Sequence, residues 1–363
     1  MGNVLIVVPS LSGGGAERVM LHVARGLRDA GHTAVLVTLE SGGGYEGQLP
    51  EGVERIDFKD GSNRRAIGRL AKLIRERKPD AVLSALDAAN LVAILARMVS
   101  RRRPRLVVSI HNTLSQVYGP DSPAFKLRRL KIMRRTLRFA DCIVGVSKGV
   151  CDDAAEVLGI SRERFTAIHN PSVTPEMEAL SREAVDEPWF APGAPPTVVA
   201  MGRLTPQKDF PNLLNALAKI PGNVRLIVLG EGEERANLEA LTAKLGLAER
   251  VKFPGFAQNP YGYLRHARLF VLSSAFEGFG VAVVEALACG TPVVSTDCPY
   301  GPSEILEGGR FGTLVPVGNS DCLAAAIQEE LSHPKETPSE ASWMPYRLST
   351  IVDRYVEVLK LNA

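Results

Sequence analysis

The feature that most narrows the fold is an alternation. Short β-branched runs are followed, again and again, by longer stretches whose apolar residues recur at helical spacing. VLIVVPS leads into AERVMLHVARGLRDAG, where Gly31 reads as a helix stop, and TAVLVTLE follows. IGRLAKLIRERKP, DAVLSAL, NLVAILARMVSRRR, RLVVSIH, CIVGVS and KGVCDDAAEVLG continue the series, and 164-RFTAIHNPS-172 holds its last short strand. Strands alternating with helices form parallel βαβ units, so a doubly wound α/β layer is predicted.

The pattern dissolves in VTPEMEALSREAVDEPWFAPGAPP, rich in prolines and acids, and resumes at TVVAMGRL. We therefore expect an N-terminal Rossmann-like domain over 1–175, a linker over 176–196 and a second Rossmann-like domain over 197–345. The tail 346-YRLSTIVDRYVEVLKL-361 has apolar residues at helical spacing. It is expected to be a closing helix within 346–363 that packs back on the first domain. Two such α/β layers imply a cleft between them, with ligands held outside the carboxyl ends of the strands.

Cores of this size need neither disulfides nor metals. The five cysteines form no CxxC pair or Cys/His cluster and are expected as free thiols of a reducing compartment. No eighteen-residue apolar run is present, and MGNVLIVVPS has no basic n-region, so a cytoplasmic location is expected. The net charge of +3 is unevenly spread: residues 1–180 carry 27 Lys and Arg against 19 Asp and Glu, and the remainder is acidic. The halves are expected to meet different partners.

In 272-LSSAFEGFGVAVVEALACGTPVVSTD-297, Glu277 and Glu285 stand eight apart around Gly278, Phe279 and Gly280. Glu277 falls in the loop after a strand and Glu285 inside the following helix, whose positive end suits an anion or a polyhydroxyl ligand. Ionised carboxylates accept from paired hydroxyls. The bland alternative is that Glu277 only caps the helix and Glu285 is a solvated charge. In 202-GRLTPQKDF-210, Arg203 and Lys208 follow another strand and fit a diphosphate clamp, unless they are merely a solvated basic loop. In 10-SLSGGGAERV-19, Gly14 and Gly15 open a helix without GxGxxG spacing. A dehydrogenase is thereby disfavoured, although Glu40 ends the second strand where a ribose-binding acid would lie. His111 directly follows the strand RLVVSI. Asp152 and Asp153 lie in a helical run and are expected at the surface.

Taken in order, GGGAERV, His111, SKGV at Ser147–Val150, GRLTPQKDF, EGFGVAVVE, ALACGTPVVSTD and 299-PYGPSEIL-306 resemble a GT-B glycosyltransferase of family 4. EGFGVAVVE is similar to that group's E-x7-E motif, and the likeness spans essentially the whole chain. The resemblance implies retaining transfer from a nucleotide-diphosphate sugar, and 299-PYGPSEIL-306 resembles the users of uridine-diphosphate sugars; no DxD sequence is present, so no metal or other cofactor is expected. It implies that Arg203 and Lys208 neutralise the diphosphate, that Glu285 takes the ribose hydroxyls, and that Glu277 with Gly278, Phe279 and Gly280 holds the transferred sugar. Gly14 and Gly15 would approach the phosphates from the opposite domain, His111 would contact the sugar, and Glu231, Gly255 and Phe256 would flank the base.

The segment 125-FKLRRLKIMRRTLRFADC-142 carries seven cations, namely Lys126, Arg128, Arg129, Lys131, Arg134, Arg135 and Arg138, before its first acid. Leu127, Leu130, Met133 and Leu137 form one stripe and Arg128, Lys131, Arg135 and Arg138 another. A basic amphipathic helix of this kind reads as an element for an anionic membrane surface. No nucleic-acid motif accompanies it, so nucleic acid is not an expected partner. With family habit it implies a polyprenyl-diphosphate-linked glycan acceptor. A soluble acceptor or a non-catalytic scaffold that binds nucleotide sugars are the other readings.

Overall fold

The computed structural model describes residues 1–12, 14–59, 63–118, 123–333 and 337–361, and it divides into two compact units. The first unit combines Met1–Pro171 with Arg347–Ala363, and the second is Ser172–Tyr346. Gly13 of the triple glycine lies outside the described residues.

The first unit is built on a seven-stranded parallel sheet of β1 (Asn3–Val8), β2 (Thr33–Thr38), β3 (Glu54–Asp57), β4 (Ala81–Ala85), β5 (Arg105–Ile110), β6 (Cys142–Gly145) and β7 (Phe165–Ala167). The order is β3-β2-β1-β4-β5-β6-β7, so the winding reverses between β1 and β4. The central strands are buried along almost their whole length and mostly apolar, as expected where helices cover both faces. The charged edge strand ERID (β3) is not recognised from sequence, since it is only half buried.

The helix Leu348–Leu359 returns to this unit, where Ile351, Val352, Tyr355 and Leu359 join the core around β1 and β4. It seats against the helix Gly15–Asp29 at Gly26, where a Cβ would lie 2.2 Å from Val352 Cγ2. A side chain there would push the two helices apart.

The second unit holds a six-stranded parallel sheet: β8 (Thr197–Met201), β9 (Arg225–Leu229), β10 (Val251–Gly255), β11 (Leu269–Leu272), β12 (Val293–Thr296) and β13 (Thr313–Val315). Its order is β10-β9-β8-β11-β12-β13, with the reversal between β8 and β11. The stretch expected as a linker over 176–196 instead belongs to this unit. Thr174 caps the helix Pro175–Leu180, and Asn259 Nδ2 donates to Leu180 O at 2.8 Å. Glu187 pairs with Lys252 at 2.7 Å, and the same ammonium sits 4.2 Å from the centroid of Trp189. Trp189 and Phe190 supply the apolar surface that anchors an otherwise polar, proline-rich run.

Candidate active site

The second unit gathers most of the expected site residues along the carboxyl edge of its sheet. Phe256 follows β10, Glu231 follows β9, Arg203 and Lys208 follow β8, and Glu277 follows β11, so these residues occupy adjacent strand ends. Backbone hydrogen bonds join the loops: Gly230 N donates to Gly255 O at 2.8 Å, Leu204 N to Glu231 O at 2.9 Å, and Ala275 N to Gln207 O at 2.8 Å. Gln207 Nε2 donates to Phe276 O at 2.9 Å, and Ser273 Oγ to Lys208 O at 2.8 Å.

At the reversal between β8 and β11, Lys208 Nζ donates to Glu277 Oε1 at 2.6 Å. The same oxygen accepts from Ser274 Oγ at 2.6 Å. Glu277 is 8% exposed at its side chain and Lys208 18%, so water screens the pair weakly. Gly202, with φ of 153°, makes room for the lysine: a Cβ there would lie 2.9 Å from Lys208 Cε. An ammonium has three donors, and among the described residues Lys208 spends one on Glu277. Arg203 is exposed in the same loop.

Glu285 is buried in the helix Val281–Ala288 and accepts from Tyr261 Oη at 3.3 Å. Neither glutamate is thus a solvated surface charge. Burial, then the nearby Glu285, pushes the Cys289 thiol up to about 12, and burial with Glu277 does the same to Cys298. The helix begins at Gly280, with φ of 94° and no capping side chain, and has no acid in its first turn. Its positive end is left uncompensated by its own residues. Phe279 is buried edge-to-face on Tyr346 at 5.4 Å, and Gly278 is half-buried beside it. Glu231 pairs with Arg235 and stands over Gly255, while Phe256 is 75% exposed.

In the first unit, His111 follows β5 and lies within hydrogen-bonding distance of Ser109 Oγ through Nε2, 3.0 Å. Burial lowers its pKa to about 4, so the ring is neutral at pH 7. The backbone just beyond it is fixed by Asp153, which accepts from Leu114 N at 2.6 Å and Ser115 N at 3.2 Å. Asp153 is therefore buried rather than at the surface, because it satisfies the first amides of the short helix Leu114–Val117. Asp152 does lie outside and pairs with Arg162. Ser147 of SKGV caps the helix Lys148–Leu158 through Val150 N at 3.1 Å.

Gly14 is the N-cap of the helix Gly15–Asp29, but the space a Cβ would fill there is taken by Glu17, whose Oε2 would be 2.3 Å away. Glu17 is buried and accepts from Ser12 Oγ at 3.4 Å. Gly14 thus serves its own chain, whereas Gly15 is open, with nothing within 4 Å of where a Cβ would stand. Glu17 escapes a reading of the sequence, although an acid in a first helical turn is the available signal.

The basic helix runs Ala124–Thr136. Its apolar stripe turns inward: Leu130, Met133 and Leu137 are buried and only Leu127 stays exposed, so the stripe belongs to the core and not to a lipid-facing side. Lys126 donates to Val117 O, Arg134 to Val157 O, and Arg129 pairs with Asp87, which also accepts from Tyr118 Oη. Arg128, Lys131, Arg135 and Arg138 are exposed, with no side-chain partner among the described residues. Within those residues no helix is long and apolar enough to cross a membrane, and the cysteines are free thiols.

Two all-parallel Rossmann-like units, the second with charged residues at its strand ends, are the architecture of the GT-B class. The family described as Glycosyltransferase Family 4 matches residues 13–172, and Glycosyl transferases group 1 matches 181–342. A lipopolysaccharide core biosynthesis glycosyltransferase, LpsE of Rhizobium meliloti, is 32% identical over 87% of this chain and 85% of its own. An N-acetylgalactosaminyltransferase of Campylobacter jejuni, named for an N-acetylgalactosamine-N,N'-diacetylbacillosaminyl-diphospho-undecaprenol, is 30% identical over 73% of this chain and 70% of its own. The crystal structure of Anabaena Alr3699/HepE in complex with UDP shares the fold, with a TM-score of 0.82 at 23% identity over 99% of each chain. The chain belongs to the glycosyltransferase group 1 and family 4 enzymes.

Proposed function

We propose that this chain moves a sugar, with retention, from a uridine-diphosphate sugar to a hydroxyl of a lipid-linked glycan at an anionic membrane surface. The observation that carries the reading is the Lys208–Glu277 pair at the reversal of the second sheet. There a cation for phosphate and a carboxylate for sugar hydroxyls are held side by side, where open α/β sheets bind ligands. Arg203 and the remaining donors of Lys208 neutralise the diphosphate as the bond from the anomeric carbon to its phosphate oxygen breaks. The acceptor oxygen bonds to that carbon on the same face, and its proton passes to the departing phosphate. Donors already fixed where charge develops supply most of the acceleration. These cations take the place a divalent ion would have, and activity should survive a chelator.

Glu285 receives the ribose hydroxyls, Phe256 and Glu231 flank the base, and Gly278, Phe279 and Gly280 bring backbone to the sugar. In the first unit, His111 serves as a neutral hydrogen-bonding group for a sugar hydroxyl, with Gly15 as an open backbone position for phosphate. The uridine choice rests on the complex of the Anabaena fold relative with UDP. The lipid-linked acceptor rests on the name of the Campylobacter relative and on the exposed cations Arg128, Lys131, Arg135 and Arg138.

Thermal shift with uridine diphosphate and with NAD, followed by transfer from radiolabelled UDP-sugars to extracted polyprenyl-linked glycans, tests the reading. Stabilisation by uridine diphosphate and transfer lost in Lys208→Ala are expected. Stabilisation by NAD alone would overturn it, and donor binding without hydrolysis or transfer would leave a non-catalytic binding protein. Binding to anionic but not zwitterionic vesicles, reversed by salt, is expected for the membrane.

A further inference from the structure

A cavity of about 600 Å³ opens in the first unit, where the helix Asp87–Ser100 ends near the turn Leu137–Phe139. Arg97, Met98, Arg101, Arg102, Arg103 and Phe139 line it. The volume falls in the range of pockets that enclose a small organic ligand. The lining has one carboxylate, Asp141, and it is already committed: its Oδ2 accepts from Arg97 Nη2 at 2.9 Å and from Leu106 N at 2.8 Å. Arg97 Nη1 donates to Phe139 O at 3.0 Å.

The guanidinium groups of Arg101, Arg102 and Arg103 have no acidic partner among the described residues, so the cavity carries three uncompensated positive charges. Among the described residues, Nε of Arg97 is buried without an acceptor. That atom is sealed from the cavity, so the donors a ligand there would meet are the exposed guanidinium groups of Arg101, Arg102 and Arg103. One cation suffices to complement a helix C-terminus, and three exceed that need.

The surroundings are apolar and open. Met98 is 54% exposed and Phe139 49%, and Val99 lies beside them. Phe125 and Ile132, seven residues apart on one side of the basic helix, are exposed too, and Phe139 follows in the turn just beyond the helix. On the same helix lie the exposed Arg128, Lys131, Arg135 and Arg138. Exposed apolar side chains bordering a cationic cavity match the boundary between headgroup and acyl layers.

We infer that this cavity seats the phosphate headgroup of an anionic phospholipid, with Phe139 and Met98 entering the acyl boundary. It rests on the membrane reading given above and adds a specific lipid seat remote in sequence from the donor loops.

The test is co-sedimentation of the full chain with vesicles of phosphatidylglycerol in phosphatidylcholine, against phosphatidylcholine alone. It compares wild type with R101Q/R102Q/R103Q and R128Q/K131Q/R135Q, which remove equal charge. At about 1 kcal/mol per cation, diffuse attraction weakens both variants by about a hundredfold. A seat makes the cavity variant weaker than the helix variant by at least about tenfold more, since its ligand also loses directed hydrogen bonds. The indole introduced by Phe139→Trp should be quenched by lipids brominated on their acyl chains, a readout independent of the arginine variants. Equal losses, a greater loss in the helix variant, or an unquenched indole would overturn the seat and leave the membrane reading standing. Failure of wild type to bind anionic vesicles, or binding to RNA in their place, would overturn both.

Discussion

Replacing Lys208 with alanine should destabilise the second unit far more than replacing Glu277 with glutamine. The ammonium contacts Glu277 Oε1 at 2.6 Å, and the carboxylate side chain is 8% exposed. Removing the lysine strips that buried carboxylate of its cation, while the neutral Ser274 hydroxyl still donates to the same oxygen. Breaking a buried pair from one side costs about 3–5 kcal/mol. The lysine keeps 18% exposure, so water reaching the gap should bring the cost to about 2–4 kcal/mol. For a domain of this size that is a fall in Tm of about 4–16 °C. Glu277→Gln retains the shape and an acceptor for Ser274 and leaves Lys208 to hydrate, so its cost should be about 1 kcal/mol. In K208A/E277Q the stranded charge is gone, and the double variant should be more stable than the sum of the singles by about 1–3 kcal/mol. Trp189 and Trp343 both lie in the second unit, so tryptophan fluorescence on heating reports its unfolding directly. Additive losses, or a Tm for Lys208→Ala equal to wild type, would refute the buried pair and the donor site built on it.

Three further outcomes follow from the first unit. His111 has a pKa lowered from 6.5 to about 4 by burial, so between these values the unfolded chain binds a proton that the folded chain does not. Stability is therefore full above pH 6.5 and falls as pH drops towards 4, by about 3 kcal/mol in all; His111→Gln should flatten that slope in urea melts at stepped pH. Asp153→Ala strands the Leu114 and Ser115 amides and should cost about 1–3 kcal/mol, while Asp153→Asn recovers part of this in the same melts. Ile351→Ala removes a fully buried side chain from the closing helix and should cost about 2–5 kcal/mol, read by circular dichroism with the tryptophan transition of the second unit unchanged.

What the sequence discloses follows from which forces act locally. Strand–helix alternation and the stop at Gly31 are written in neighbouring residues, and that glycine adopts a positive φ. The spacing of Glu277 and Glu285 likewise locates a loop acid and a helix acid without further information. Pairing across the fold is less accessible. Lys208 and Glu277 are distant in sequence, and only the strand order β8-β11 makes their loops neighbours. Asp153 reads as a surface residue because its partners, the Leu114 and Ser115 amides, come from another strand end. Gly14 reads as an open approach because nothing local reveals that Glu17 folds back over it. The basic helix has an apolar stripe suited equally to lipid or core, and the packing of Leu130, Met133 and Leu137 decides between them. The run 176–196 looks like a tether because prolines and acids outweigh Trp189 and Phe190, the two residues that dock it.

The chain enters the second unit at Ser172 and comes back at Arg347 to finish the first. During synthesis the opening half therefore emerges without Ile351, Tyr355 and Leu359, and its hydrophobic centre waits on the ribosome until the final helix arrives. The middle segment has no such delay and is able to mature first, reversing the usual order. The same connectivity makes residues 172–346 a cassette: an exchange at its two junctions would replace one catalytic half while the other kept both of its own pieces.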